Sequence, residues 1–164
     1  MIRSSDQRAT LSEATKALFP AHGLPLVMDS LLTHVLESCE GAVIAFRQKA
    51  LKALGSIVEQ DSSIFFQAKV RLAIEKRLMD SSPAVRDAAL EMLGRYVVYN
   101  PALAVQYLPK IGERVTDSGL SVRKRVIKLL KSIYPVLEDR DSQIDICRRL
   151  VCRINDEDDG VKVR

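Results

Sequence analysis

Apolar residues recur every three or four positions along most of the chain, the period of a helix that buries one face. In "LSVRKRVIKLLKSIYPVL", Val122, Val126, Leu129, Leu130, Ile133 and Leu137 fall within about 100° of one another on a helical projection, with Lys124, Lys128 and Lys131 opposite. The same pattern predicts first helices over 24–38, 64–79, 102–116 and 141–154. It predicts second helices over 43–59, 83–99 and 121–136, with another opening at Val161. Polar turns join the pairs: "SCEGA", the stretch Asp80-Ser81-Ser82-Pro83-Ala84, "DSGLS" and "NDEDDG". Pro83 suits a first helical position, where an N–H is not needed. Ser121 suits an N-cap. Asn100-Pro101 marks a break between pairs, because the residue before proline avoids the α region.

The second helices are copies of one unit. "IAFRQKALKALGSIVE", "PAVRDAALEMLGRYVV", "LSVRKRVIKLLKSIYP" and the stub "DGVKVR" align on Phe46, Val85, Val122 and Val161, which stand 39, 37 and 39 residues apart. One apolar stripe per helix cannot enclose a core, so successive hairpins must stack. Two-helix units of this length match the HEAT/armadillo class better than the shorter tetratricopeptide or ankyrin repeats. The expected fold is all-α: an α-α superhelix, a HEAT/armadillo-like solenoid of about three and a half helical-hairpin repeats. Residues 1–25 form an N-terminal helix, centred on 6–19, or an extension. Residues 26–164 form the solenoid, with repeats at 26–61, 62–100, 101–139 and an incomplete 140–164. The chain stops as a second helix opens, which suggests a piece of a longer solenoid. "LGSI" and "LGRY" lie inside helices, where glycine lets a neighbouring helix approach.

Composition agrees. Of 164 residues, 47% are hydrophobic and only 5% aromatic, with no Trp, which favours aliphatic helix packing over a β-sandwich. Cys39, Cys147 and Cys152 are odd in number and irregularly spaced, so they read as free thiols in a reducing compartment. No stretch reaches the roughly 20 apolar residues of a membrane span, and the N-terminus lacks a signal peptide's apolar run. A soluble, intracellular protein is expected. The net charge of +4 leaves room for an acidic partner.

No catalytic constellation stands out. Glu91 and Glu113 occur singly, His22 and His34 are far apart, and no Cys-x-x-Cys or Gly-rich phosphate loop is present. Asn155, Glu157, Asp159 and Gly160 imitate the start of a calcium loop, but its final acidic ligand has no counterpart, so an acidic interhelical turn is expected. A non-enzyme without metal or cofactor follows. The basic side chains are the stronger candidates. Arg123, Lys124, Arg125, Lys128 and Lys131 share one helix and can neutralise phosphates; the alternative is a solvated face. Arg149 and Arg153, with Arg148, can extend that track or offset the acidic turn after them. Tyr96, Tyr99, Tyr107 and Tyr134 are expected to pack between repeats with hydroxyls at the rim.

Four stretches carry a family resemblance: "RQKALKALGSIVEQDSSIF"; "VRLAIEKRLMD" with the "SSPAVRDAALEMLGRYV" that directly follows it; "YLPKIGERVTDSGLSVRKRVIKLLKSIY"; and "ICRRLVCRINDEDDGVKV". Together they resemble the HEAT segment of the Nipped-B, or adherin, family of sister-chromatid cohesion loaders. The resemblance runs over 46–163; "ERVTDSGLSVRKRVIKLL" and "CRRLVCRINDEDDG" are its most specific parts. It implies an all-helical HEAT solenoid in the nucleus and on chromosomes, taking part in cohesin loading, DNA contact and stimulation of the cohesin ATPase. The implied partners are cohesin subunits, double-stranded DNA read without sequence preference, and other parts of the loader, with no membrane and no small-molecule substrate. The implied DNA-binding set is Lys124, Arg125, Lys128, Lys131, Arg149 and Arg153. In such solenoids Arg47, Arg86 and Arg123 belong to a structural ladder, meeting turn aspartates of neighbouring units, here Asp80 and Asp117. The alternative is a HEAT scaffold for proteins alone.

Overall fold

The computed structural model describes residues 24–156 and residue 158. The expected helix at 6–19, His22, Glu157, Asp159, Gly160 and the helix opening at Val161 lie outside the described residues. The chain divides into two compact units, Met1–His34 and Val35–Arg164.

Helix α1 covers Leu24–Glu40. Within the first unit, the Thr33 hydroxyl donates to the Asp29 carbonyl at 2.8 Å, a local bond one turn back along the helix. Val27 and Leu31 are exposed there.

The second unit continues with α2 (Ile44–Gln60), α3 (Ala68–Leu78), α4 (Pro83–Val97), α5 (Pro101–Glu113), α6 (Leu120–Ile133) and α7 (Arg140–Val151). Short 3₁₀ turns cover Ser62–Phe66, Arg114–Thr116 and Tyr134–Val136. Helix α4 is central and packs on α2, α3 and α6. Its Val85, Ala89, Leu90, Leu93 and Val97 are fully buried, at the helical spacing that the sequence shows. In α6, Val122, Val126, Leu129, Leu130 and Ile133 are buried, as is Leu137 beyond it, while Lys124, Lys128 and Lys131 are exposed. The second helices α2, α4 and α6 pack side by side. Gly94 makes the approach of α6 close: a Cβ there would sit 3.1 Å from Leu129 Cδ1, whereas one at Gly55 would meet Met92 Cγ at an ordinary 3.8 Å.

The expected helices 102–116 and 141–154 end early, at Glu113 and Val151, and three further details differ from expectation. The predicted helix 64–79 is split. Asp61 accepts the Ser63 N–H at 2.9 Å and starts a separate 3₁₀ turn, and Gln67 is extended (ψ 132°) before α3 begins. Ser121 is not the cap of α6; Gly119 holds the N-cap position, and the Asp117 carboxylate takes its N–H at 2.8 Å. The helix predicted to reach 136 ends at Ile133 and tightens into a 3₁₀ turn at Pro135, which has no N–H to continue an α-helix.

Gly119 has an ordinary φ of −81°, so space rather than conformational freedom requires it. A Cβ there would lie 2.6 Å from Pro83 Cβ, on a ring that cannot rotate away. Gly119→Ala should cost about 1–3 kcal/mol by overpacking, read as a lower urea midpoint at unchanged slope. An unchanged midpoint would mean that the turn shifts freely.

Candidate functional site: an arginine–aspartate ladder and a basic flank

The first turn of each second helix presents an arginine to the turn of the next hairpin. Arg47 donates from Nε and Nη2 to the two carboxylate oxygens of Asp80, both at 2.8 Å. Its Nη1 donates to the carbonyls of Gly41 and Ala42 in its own turn. Arg86 repeats this arrangement, reaching Asp117 at 2.7 and 2.5 Å and the carbonyls of Asp80 and Ser81. Both pairs are buried. Planar, two-pronged contact of this kind suits guanidinium and not ammonium. Arg123 makes the third rung with Asp156, through one bond of 3.4 Å, and its Nε has no partner.

Each aspartate also closes its own turn, accepting the N–H two residues on: Ser82 for Asp80, Gly119 for Asp117 and Asp158 for Asp156. A second arginine stands three residues before each. Arg77 lies 3.0 Å from Asp80, Arg114 3.9 Å from Asp117 and Arg153 3.3 Å from Asp156. Burial pushes the Asp80 carboxyl up, but the Arg47 guanidinium, the Ser82 N–H and the Arg77 charge outweigh it and hold Asp80 below the usual carboxylate range. Asp117 follows the same balance, with Arg86, the Gly119 N–H and Arg114 against burial. The Asp158 N–H first, then Arg123 and Arg153, lower Asp156 despite its own burial.

Sequence reasoning missed Arg77, Arg114 and Asp156. Their signal was present: Arg-x-x-Asp recurs at 77/80, 114/117 and 153/156, at intervals of 37 and 39 residues.

The six basic side chains of the expected DNA-binding set have different surroundings. Arg125 grips Asp87 of the preceding second helix at 2.6 and 2.9 Å and lies 3.4 Å from Glu91. Lys124 lies 3.1 Å from Asp158. Arg149 bonds Asp145 at 2.7 Å, with its guanidinium over Gly112 of α5. Arg153 holds Asp156. Lys128 and Lys131 are exposed and form no ion pair with any described residue. The structure therefore brings Arg125 and Lys128 together beside α4, while Arg149 stands on α7 against the first-helix stack. Glu91 is not alone on its helix either: it lies 3.4 Å from both Arg95 and Arg125.

The remaining candidates fall as follows. Cys39 is fully buried, and burial above all pushes its thiol up to about 11, which keeps it unreactive at neutral pH. Cys147 and Cys152 are exposed and free. Tyr107 is fully buried, hydroxyl included, so it does not sit at a rim; burial and the nearby Glu75 push it up to about 12. Tyr99 is 86% exposed and does not pack between repeats. Among the described residues no group of His, Cys, Asp and Glu is arranged to hold a metal ion. No described helix is long and apolar enough to cross a membrane.

Hairpins repeated at 37–39 residues and joined by buried Arg–Asp rungs define an α-solenoid of the HEAT class. A family model described as "HEAT repeat associated with sister chromatid cohesion" matches residues 52–93. The human Nipped-B-like protein is 41% identical over 134 residues, which are 82% of this chain and 5% of that protein. Among solved structures, the C-terminal fragment of the Chaetomium thermophilum cohesin loader SCC2 matches at 30% identity with a TM-score of 0.70, over 82% of this chain and 10% of that one. A designed armadillo repeat protein in complex with a (KR)4 peptide matches at 18% identity and a TM-score of 0.58, over 97% of this chain and 73% of that one, a likeness of fold alone. The chain is a HEAT-repeat segment of the Nipped-B family of sister-chromatid cohesion loaders. It spans 5–6% of the length of the vertebrate relatives that it matches.

Proposed function

We propose that this segment works in the nucleus as a stiff section of a cohesin loader. It holds the loader's surfaces in register for cohesin subunits and for other parts of the loader, and so supports cohesin loading onto chromatin and stimulation of the cohesin ATPase. It also touches duplex DNA through phosphates, with Lys128 and Lys131 as the principal contacts and Lys124 and Arg125 beside them. The observation that carries the DNA contact is the exposure of Lys128 and Lys131 on α6 without an ion-pair partner among the described residues. Charges already held by carboxylates have less to offer a phosphate.

The test is binding of the purified chain to a random-sequence duplex across a salt series. Lys128→Glu with Lys131→Glu should weaken binding equally on unrelated sequences and flatten the slope of log affinity against log salt by about two. Unchanged binding, or a loss confined to one sequence, would overturn the DNA contact. A scaffold for proteins alone is the second reading. It is favoured by the carboxylates already engaging Lys124, Arg125, Arg149 and Arg153. Absence of binding at low salt selects it.

A further inference from the structure

The side-by-side second helices leave two successive grooves on their outer face. The first lies between α2 and α4, with a volume of about 220 Å³ and a floor of Leu51, Gly55 and Met92. The second lies between α4 and α6, with a volume of about 420 Å³ and a floor of Leu90, Gly94 and Leu129. Gly55 and Gly94 occupy the same position in the repeat, 39 residues apart. Each leaves its helix without a side chain at the groove that it lines. Glu91 and Arg95 of α4 line both grooves, so the two form one track that shares a wall.

The charges beside the track are not balanced. Arg95 is held by Glu59 and Glu91, and Arg125 by Asp87 and Glu91. Lys52 and Lys128, also at one repeat position and one to each groove, are exposed and have no ion-pair partner among the described residues. Each groove thus joins an apolar floor to a spare ammonium. Tyr99, 86% exposed, stands at the edge of the second.

We propose that this face binds an extended acidic segment of a partner protein. Neighbouring helix axes lie about 8–10 Å apart. A chain extended in the polyproline II form rises about 3.1 Å per residue and returns to the same face every third residue. Aliphatic side chains three residues apart therefore point to one side, about 9 Å from each other, and reach successive floors. The segment's carboxylates meet Lys52 and Lys128. A duplex offers phosphates to the lysines but no aliphatic group for the floors, so the pairing of apolar floor with cation favours a polypeptide. The proposal does not rest on the DNA contact.

The probe is a fluorescein-labelled acidic peptide of about ten residues, rich in Asp and Glu, with two leucines about three positions apart. Its anisotropy is titrated with the 164-residue chain. Ser56→Trp fills the first groove and Ser132→Trp the second. Each should weaken binding at least about tenfold with helical circular dichroism unchanged, as should exchanging the leucines for serine. Lys52→Glu with Lys128→Glu should abolish binding, while Ser132→Trp should leave duplex DNA binding as it was. No binding by the parent chain overturns the proposal. Equal binding by the tryptophan variants or by the leucine-free peptide does so too. Parallel loss of DNA and peptide in Ser132→Trp also overturns it and makes the track a nucleic-acid groove; loss of DNA binding in Lys128→Glu/Lys131→Glu alone bears only on the DNA contact.

Discussion

Asp117→Ala should lower the free energy of unfolding by about 3–5 kcal/mol. The carboxylate receives two short bonds from the buried Arg86, caps the Gly119 N–H and faces Arg114. Alanine removes all of these at once and leaves a guanidinium with no counter-charge in a site that excludes water. The cost comes from the stranded charge more than from the lost attraction. Replacing both partners by apolar groups, Arg86→Met with Asp117→Leu, should therefore cost less than Asp117→Ala alone. Urea unfolding of the two variants checks this order, and a single-variant loss below about 1 kcal/mol would show that the rung contributes little. Acid makes a second check. Asp80 and Asp117 titrate below the usual carboxylate range in the folded chain. Their contribution is complete above the ordinary carboxylate pKa and disappears as pH falls through it towards the lower folded values. Asp117→Ala should thus lose less stability on acidification than the parent chain.

Leu93→Ala should cost about 2–5 kcal/mol, as expected for a buried leucine whose cavity the surroundings cannot refill. Leu93 is fully buried on α4, the helix that packs on α2, α3 and α6 at once. A void there opens the interior of the helix on which both stacking seams converge. Leu72, 55% exposed on α3, is the matched control, and its alanine variant should stay within about 0.5 kcal/mol of the parent. Equal losses at the two sites would mean that burial on α4 is not what holds the stack.

The hairpin frame was legible because its markers are local and recur in order. The basic residue at 47, 86 and 123 opens each second helix, and the two helix-interior glycines follow at one position. Turn chemistry was legible less well. Ser121 looked like a cap by residue type, but the Asp117 carboxylate closes the turn at Gly119, so the helix starts at Leu120 and Ser121 falls inside it. Within 64–79 the Asp61 carboxylate, by accepting the Ser63 N–H, starts a separate 3₁₀ turn, and the chain breaks at the extended Gln67 before α3. Pairs across seams were hardest. Arg125 and Asp87 stand 38 residues apart, and their meeting depends on how two helices are rotated against each other. Periodicity shows which residues share a face but not which neighbour that face meets. Arg77 and Arg114 stand at helix ends, where cations are favoured anyway, so nothing in residue type alone sets them apart.

The rungs have a mechanical consequence. Arg47 and Arg86 sit in the first turns of their helices, so every cross-link of the ladder lies along one edge of the second-helix row. The opposite ends of those helices are joined by packing alone and by exposed ion pairs such as Arg95–Glu59. Packing contacts can slide and exposed pairs can re-form, whereas a buried two-pronged bond can only hold or break. This part of the chain is therefore bound like the pages of a book, stitched at the spine and free at the fore-edge. Under load it should fan about the ladder edge rather than stretch along it, and the fanning would begin at the seam whose stitch is a single 3.4 Å bond, between Arg123 and Asp156.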